Sequence, residues 1–292
     1  MPTDTLSHKQ AKTAIERDNE LKPLSVKRCA IRFATYLAPN VYPVYQCVAD
    51  YAGRQLGCRT ELAVGESFAA FAAGEIDVGF ICGLPYVQLT RSSPAPVELL
   101  AAPVLQGERY RDLPIYFSDV IVRRDSPYHV FADLRGCRWA YNDPNSHSGY
   151  NITRSTLVRL GETRGFFGRV IEAGFHQEAL RMVADGRVDS SAIDSQVLAI
   201  ELRDHPDLAE RVQIIETLGP ATIQPVVAAR HVPATLQDDL RTVLCATGAD
   251  PASRDALDHG FVARFVPITD ADYDDIRTMV AAAEEAGFAE LR

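Results

Sequence analysis

The sequence predicts a two-lobed α/β fold, in which helices cover mixed β-sheets and a cleft separates the lobes. Short apolar strand patterns alternate with helical patterns along most of the 292 residues, which is typical of helix-covered sheets. A middle part, residues 117–216, interrupts two flanking parts that complete one another. A hydrophobic content of 47% is ordinary for a globular protein, so the chain is able to bury a sizeable core.

The first unit of this pattern covers residues 29–82. Its opening strand is predicted at 29–35. A helix follows at 41–56, because apolar residues recur there at helical spacing before a glycine. The unit is completed by a strand at 60–64, a helix at 67–73 and a buried strand at 76–82.

The second unit opens with a strand at 117–123 and keeps the same alternation. The elements predicted next are a short helix at 131–136, strands at 138–141, 169–172 and 188–193, and helices at 149–160 and 176–185. The elements predicted for the return are strands at 213–217 and 225–229 and helices at 234–246 and 270–286. We therefore expect a polar lead-in over 1–28, lobe 1 over 29–116 and 217–292, and lobe 2 over 117–216.

Charge and hydropathy exclude several classes of partner. A net charge of −9 argues against a nucleic-acid surface and a basic membrane face, whereas a small anion depends on local donors. No stretch approaches the ~18 apolar residues of a membrane span, so we expect no membrane insertion. The N-terminal residues lack a hydrophobic signal core. The sequence as written predicts a cytoplasmic protein, or a periplasmic one if a signal was removed.

The distribution of lysine and cysteine limits the chemistry of the chain. All four lysines lie in the first 27 residues, so the body has none for a Schiff base or a phosphate loop. The six cysteines include no C-x-x-C pair, which gives a zinc or redox site little support. We expect buried free thiols, and we predict neither a metal nor a cofactor.

The most informative segment is NDPNSHSGY, residues 142–150, between a predicted strand and a predicted helix. Ser146 and Ser148 suit a helix N-terminus, and Gly149 permits a close backbone approach. Free N–H groups at a helix start carry partial positive charge, and two hydroxyls beside them would form a cradle for an oxyanion. The alternative, a helix cap without a ligand, is commoner for such residues.

Three other polar residues lie at similar junctions. His176 begins a predicted helix, where it is able to donate to an anion and would gain charge near pH ~6.5 if unperturbed. Ser67 lies at a junction in the first unit, and Asp194 follows a strand, where ligand contacts are common. Each has an alternative role as a capping or surface residue.

A set of motifs in a fixed order resembles the phosphonate, phosphite and phosphate substrate-binding proteins of ABC transporters. These proteins are type II periplasmic binding proteins. The motifs are GEIDVGF (74–80), YFSDVIVRRDSP (116–127), FADLRG (131–136), DPNSHSG (143–149), AGFHQEAL (173–180) and GRVDSSAIDS (186–195). Each is modest alone, but the ordered set is fairly specific.

This resemblance implies a protein that binds a small phosphorus oxyanion (phosphonate, phosphite or phosphate) between its lobes, with a transporter permease as a partner. The ligand-binding residues that it implies are Ser146, His147, Ser148, His176, Tyr116, Ser67 and Asp194. The chain departs from the family at two of them. His147 stands where the family has threonine, and Ser67 or Phe68 stands where it commonly has tyrosine.

Other functions stay open from the residues. Ser148, His176 and Asp194 are the residue types of a nucleophile, a base and an orienting group, but no G-x-S-x-G elbow is present. An enzyme related to thiamine-pyrimidine chemistry is the other enzymatic alternative, and one that needs a lysine is disfavoured. A cytoplasmic sensor is the alternative to a transport receptor. We expect a binding protein and no catalytic residues.

Overall fold

The computed structural model describes residues 30–291, so the predicted lead-in over 1–28 lies outside the described residues. The strands are β1 (Ala30–Thr35), β2 (Arg59–Val64), β3 (Val78–Phe80), β4 (Val97–Leu105), β5 (Ile115–Arg123), β6 (Arg138–Tyr141), β7 (Arg169–Glu172), β8 (Ser190–Asp194), β9 (Val212–Thr222), β10 (Val226–Ala229) and β11 (Val262–Val266). The α-helices are α1 (Tyr42–Leu56), α2 (Ala69–Ala72), α3 (Gly83–Leu89), α4 (Ile152–Arg159), α5 (His176–Ala184), α6 (Ser195–Asp204), α7 (Pro206–Arg211), α8 (Ala234–Ala246), α9 (Arg254–His259) and α10 (Asp274–Glu285).

Two mixed sheets organise these elements. The first sheet has six strands in the order β11-β4-β10-β3-β1-β2, and the second has five in the order β7-β6-β8-β5-β9. Parallel pairs join β1 to β2 and β3, and β6 to β7 and β8. Antiparallel pairs involve β10, β11, β5 and β9. The predicted class, an α/β fold of mixed sheets covered by helices, is confirmed.

The chain passes between the sheets twice. Residues 106–114 lead from β4 to β5, and residues 223–225 lead from β9 back to β10. Strands β5 and β9 are each longer than the sequence indicates, so the predicted lobe boundaries at 116/117 and 216/217 fall inside them. The division of the chain into lobes at those residues stays a prediction.

Most predicted elements lie within a few residues of the observed ones. Strand β7 and helix α8 have the predicted bounds. The sequence analysis missed α3, β4, α6, α7, α9 and β11. Helices α7 and α9 and strand β11 are short, and α3 and β4 contain a proline, so neither a two-residue nor a 3.6-residue period is complete in them. The ten-residue helix α6 is neither short nor interrupted by a proline.

The C-terminal helix α10 packs against elements of both sheets. It contacts α3, which follows the first sheet's β3, and it contacts α4 and β9 of the second lobe. Gly83 permits the approach to α3, because a Cβ there would lie 2.4 Å from the Ile276 side chain. Tyr273, just before α10, donates from its hydroxyl to the Ile223 carbonyl at 3.0 Å, beside the second crossing.

The cysteines differ in part from the expectation of free thiols. Cys47, Cys82, Cys137 and Cys245 are free, and of these four only Cys137 is fully buried. Cys58 is disulfide-bonded, and Cys29 lies outside the described residues. The prediction was therefore wrong for Cys58. Within residues 30–291, none of the helices combines the length and the apolar character that crossing a membrane requires.

An ion pair between the exposed Arg109 and the buried Asp119 lies next to the first crossing. The guanidinium of Arg109 donates two hydrogen bonds to Asp119, at 3.0 and 2.7 Å, and Thr217 donates a third at 2.8 Å. The Asp119 side chain is 2% exposed. A carboxylate without water at this depth depends on those three donors.

We expect Arg109→Met to reduce the free energy of unfolding by about 3 kcal/mol, because it leaves a buried carboxylate with one donor. The matched control is Arg59→Met, which removes an exposed pair with Glu61 and should cost less than about 1 kcal/mol. Urea denaturation of both variants measures the difference. Equal effects would mean that water reaches Asp119.

Candidate functional site

A cavity of about 330 Å³ lies between the two lobes. Segments from both sheets line it, mostly where a strand ends and a helix begins. Its polar lining residues are Tyr36, Tyr45, Glu66, Asn142, Asp143, Asn145, Ser146, Ser148, His176, Gln177, Asp194, Gln196 and Gln224. No lysine or arginine of residues 30–291 is among its lining residues.

The helix that begins at the cavity starts with a π-helical turn, His147–Asn151, which continues into α4. Ser146 is the N-cap, and its Oγ accepts the Gly149 N–H at 3.1 Å. The Ser146 carbonyl accepts the N–H of Asn151 at 3.1 Å, whereas an α-helix would direct the Tyr150 N–H there. The wider π-turn therefore leaves one more N–H group without a carbonyl partner at the helix start than an α-helix does. That group is an additional hydrogen-bond donor.

Ser148 and His176 meet at the cavity wall. Their Oγ and Nε2 atoms are 3.1 Å apart, and both residues are buried. The other ring nitrogen of His176, Nδ1, has no hydrogen-bond partner within the described residues. Burial lowers the pKa of His176 to about 3, so the ring is neutral at pH 7 rather than poised near its ordinary value.

Close packing places Asn142 beside this pair. A Cβ at Gly149 would lie 1.9 Å from Asn142 Oδ1 and 3.0 Å from the His176 ring. Glycine is thus required at position 149 for the two side chains to approach the helix start. Asn142 Oδ1 is buried and has no partner within the described residues.

His147 does not line the cavity. Its Nδ1 is 3.1 Å from Asn151 Nδ2, and Arg154 donates to Asn151 Oδ1 at 2.8 Å. Because that contact orients the amide, Nδ2 donates to Nδ1 and the histidine proton lies on Nε2. Burial lowers the pKa of His147 to about 3, and its ring packs 6.3 Å from that of Tyr116.

Tyr116 and Ser67 also lie outside the cavity lining. Tyr116 is 1% exposed, and burial raises the pKa of its hydroxyl well above the ordinary value. The Ser67 side chain caps the Ala69 N–H at 3.2 Å, and its carbonyl accepts the Tyr36 hydroxyl at 2.9 Å. Phe68 lines the cavity instead.

Asp194 lines the cavity, but its oxygens are occupied. Oδ1 accepts the N–H groups of Gln196 and Val197 at 2.8 and 3.3 Å, which makes Asp194 the N-cap of α6. Oδ2 accepts Nε2 of Gln224, a residue of the second crossing, at 2.5 Å. Burial outweighs these bonds and raises the pKa of Asp194 to about 6.

Ser146, Ser148, His176 and Asp194 are thus brought together, and His147, Tyr116 and Ser67 are not. The sequence analysis missed Asn142, Tyr45 and Gln224. Asn142 directly follows β6, a position where polar residues often contact ligands, whereas Tyr45 and Gln224 carry no local signal. No group of three His, Cys, Asp or Glu side chains in residues 30–291 is arranged to hold a metal ion.

Two lobes that enclose a cavity with converging polar groups, with the chain crossing between them twice, define a two-lobed binding protein. The family model for the periplasmic phosphonate-binding proteins of ABC transporters matches residues 33–273. The chain therefore belongs to this family, and the resemblance predicted from the motifs is confirmed. The family is periplasmic, so the expectation of a cytoplasmic protein has no support.

Solved structures of the same fold have low sequence identity to this chain. The binding component of an ABC phosphonate transporter from Pseudomonas aeruginosa is 17% identical with a TM-score of 0.77, over 89% of this chain and 88% of that one. PhnD1 from Prochlorococcus marinus, in complex with methylphosphonate, is 14% identical with a TM-score of 0.73, over 88% and 98%. A Xanthomonas citri protein bound to ATP is 18% identical with a TM-score of 0.68, over 88% and 97%.

The buried histidines predict a loss of stability at acid pH. The unfolded chain binds a proton at each histidine below pH ~6.5, whereas the folded pKa values of His147 and His176 are about 3. The free energy of unfolding should therefore fall as the pH drops through this window. In His147→Gln, its slope between about pH 6 and pH 4.5 should be lower than in the wild type by about 1 kcal/mol per pH unit.

Urea denaturation at a series of pH values measures this slope. Asp194, whose pKa is raised to about 6, titrates with the opposite sign, but it is present in both proteins and cancels in the difference. His129→Gln, at an exposed position, is the matched control and should leave the slope unchanged. An identical slope in wild type and His147→Gln would show that His147 is protonated in the folded protein.

Proposed function

We propose that this chain binds the oxyanion end of a phosphonate in the cavity between its lobes. The observation that carries the proposal is the π-helical start of α4 with Ser146 and Ser148 at the cavity wall. Ser146 Oγ uses a lone pair on the Gly149 N–H, so its own proton remains to donate. The His147 and Gly149 N–H groups are used within the protein, and the remaining N–H groups and the partial positive charge of the helix start favour an anion there.

His176 completes the donor set in this proposal. The contact between Ser148 Oγ and Nε2 leaves Nδ1 of His176 without a protein partner. When Nδ1 carries the proton, Ser148 donates to Nε2 and the ring presents an N–H to the anion. His147 and Tyr116, which do not line the cavity, support the cradle from behind rather than contact the ligand.

The same geometry supports binding rather than catalysis. A hydrolytic triad requires a carboxylate on the second nitrogen of the histidine. Here that nitrogen, Nδ1 of His176, has no partner within the described residues, and Asp194 is held by Gln224 and the start of α6. Burial also raises the pKa of the Cys82 thiol at the cavity, which disfavours a thiolate nucleophile.

We further propose that the protein works outside the cytoplasm and delivers its ligand to a transporter permease. Membership of a periplasmic transporter family supports this role. The disulfide at Cys58 also supports it, because structural disulfides persist in oxidising compartments such as the periplasm.

Removing either cradle hydroxyl should weaken binding without unfolding the protein. We expect Ser146→Ala to lower the affinity for methylphosphonate by roughly tenfold to a hundredfold, since a hydrogen bond to a charged acceptor contributes roughly 1.5–3 kcal/mol. Ser148→Ala should also lower it, because it removes the hydroxyl that donates to Nε2 and so keeps the His176 proton on Nδ1, the atom that faces the anion in this proposal. Ser155→Ala on α4 is the matched control, because Ser155 does not line the cavity. Isothermal titration calorimetry measures affinity, and thermal unfolding checks the fold, since Ser146 also caps the helix.

A screen of phosphonate, phosphite, phosphate and sulfate with the wild type establishes the ligand class. Unchanged affinity in both cradle variants would reject the site. No binding of any of these anions would reject the ligand class.

The location is tested by fractionating cells that express the natural reading frame in full. We expect the protein in the periplasmic fraction, with Cys58 protected from alkylation until a reductant is added. Recovery in the cytoplasm with Cys58 open to alkylation would contradict the transport role and favour an intracellular sensor.

A further inference from the structure

One side of the cavity is apolar, and the proposed anion site leaves it unused. Val64 and Phe68 of lobe 1 and Phe175 of lobe 2 line the same cavity. Val64 is 72% exposed and Phe175 is 59% exposed, which places both among the most exposed large hydrophobic residues of the described chain. Exposed apolar side chains that converge on a ligand cavity indicate an apolar part of the ligand.

Contacts within the protein hold the lobe 1 wall of the cavity in place. Tyr36 lies flat on Gly65, where a Cβ would come within 2.2 Å of the ring. Its hydroxyl is held by the Ser67 carbonyl at 2.9 Å, and its ring packs 4.5 Å from that of Phe68 and 5.9 Å from that of Phe71. This packing fixes an aromatic surface without a ligand, which reduces the entropy lost on binding.

The lobe 2 partner is adjacent to the anion donors. Phe175 is the residue before His176 and forms the N-cap position of α5 with extended backbone angles. Phe175 and His176 line the same cavity, so the ring of Phe175 is available to a substituent on an oxyanion that is held by Ser146 and His176. The two walls belong to different lobes, so a substituent between them would be enclosed as the lobes approach.

The cavity is larger than a small phosphonate. Methylphosphonate has five heavy atoms, which occupy about 150 Å³ even when each takes the ~30 Å³ of a water molecule. The cavity measures about 330 Å³. The remaining space adjoins the apolar walls.

Few of the carboxylates that line the cavity are free to pair with an ammonium group on the ligand. Asp194 accepts hydrogen bonds from the protein on both oxygens, and Asp143, which is partly buried, accepts the Asn145 N–H on Oδ1 at 2.6 Å. Glu66 is the third carboxylate of the lining, and it lies in an exposed position. An ion pair between a ligand ammonium and an exposed carboxylate contributes little binding free energy.

We infer that the ligand is a phosphonate with an apolar substituent of three or more carbon atoms, packed between Phe175 and the wall of Tyr36, Val64 and Phe68. This inference rests on the proposed function, in which the phosphonate oxygens bind at the start of α4. It adds the class of substituent that the cavity selects.

Calorimetry with methylphosphonate, n-propylphosphonate and 2-aminoethylphosphonate tests the inference. The last two have equal numbers of heavy atoms and differ only in a methyl or an ammonium end. We expect n-propylphosphonate to bind more than tenfold more tightly than methylphosphonate, at about fourfold per buried methylene. It should also bind more tightly than 2-aminoethylphosphonate.

The Phe175→Ala variant tests whether the apolar substituent packs against the Phe175 ring. It should lower the affinity for n-propylphosphonate about tenfold and that for methylphosphonate less than about twofold. Ile214→Ala is the matched control, because Ile214 is an exposed hydrophobic residue outside the cavity lining. It should change neither affinity.

Two results would overturn the inference alone: tighter binding of 2-aminoethylphosphonate than of n-propylphosphonate, or equal losses for both alkylphosphonates in Phe175→Ala. Failure of the wild type to bind any of the three compounds would overturn the proposed function instead. Because Phe175 is exposed, its truncation should leave the unfolding temperature unchanged, so a loss of affinity reports on the ligand.

Discussion

An anion enclosed in this cleft would meet no lysine or arginine side chain of residues 30–291, and this constraint organises the site. Taking a charge out of water costs several kcal/mol unless directed donors replace the solvent. Within residues 30–291, the cavity lining offers serine hydroxyls, a neutral histidine and the first N–H groups of a helix. Neutral dipoles hold an anion only when several converge, so the affinity of the cleft depends on how accurately the start of α4 is placed.

Buried polar contacts behind the cavity provide that placement. Ser118 Oγ on β5 donates to the Ser148 carbonyl at 2.7 Å, and His147 N donates to Cys82 Sγ at 3.3 Å. Arg154 ties Asn151 to the carbonyl of Ala289 in the C-terminal segment. These bonds fix the start of α4 against β5, α3 and the C-terminal segment, and a rigid cradle loses less entropy on binding.

The contacts that connect the lobes lie close to the cavity. Gln224, in a crossing of only three residues, bonds to Asp194 at the start of α6. Asn40 of lobe 1 donates to the Val197 carbonyl and to Glu201 on that helix. Since the two walls of the cavity belong to different lobes, any change in their relative position alters the fit around a ligand. Two-lobed proteins that close around a ligand use short connections of this kind as hinges.

Local chemistry explains what the sequence alone determined. Strand and helix periods, glycine stops and capping serines act within a few residues, so the sequence predicted the fold class, most elements of both sheets, and the segment around Ser146 and Ser148. The family motifs are also local patterns. The strand-to-helix junction before residue 176 placed His176 at a helix start, which is where the structure has it.

The tertiary structure decided which way the side chains at those positions face. His147 lies between two serines that line the cavity, yet its ring packs against Asn151 and near Tyr116. Asp194 caps α6 through Oδ1, and Gln224, 30 residues away in the sequence, occupies its second oxygen. Asn142 reaches the site because Gly149 has no Cβ, and Phe175 and Val64 share a cavity although they lie in different lobes. These outcomes depend on contacts between segments that are distant in the sequence. The neighbours that pack against a side chain determine which of its directions has the lowest free energy. A local sequence pattern therefore carries no information on them.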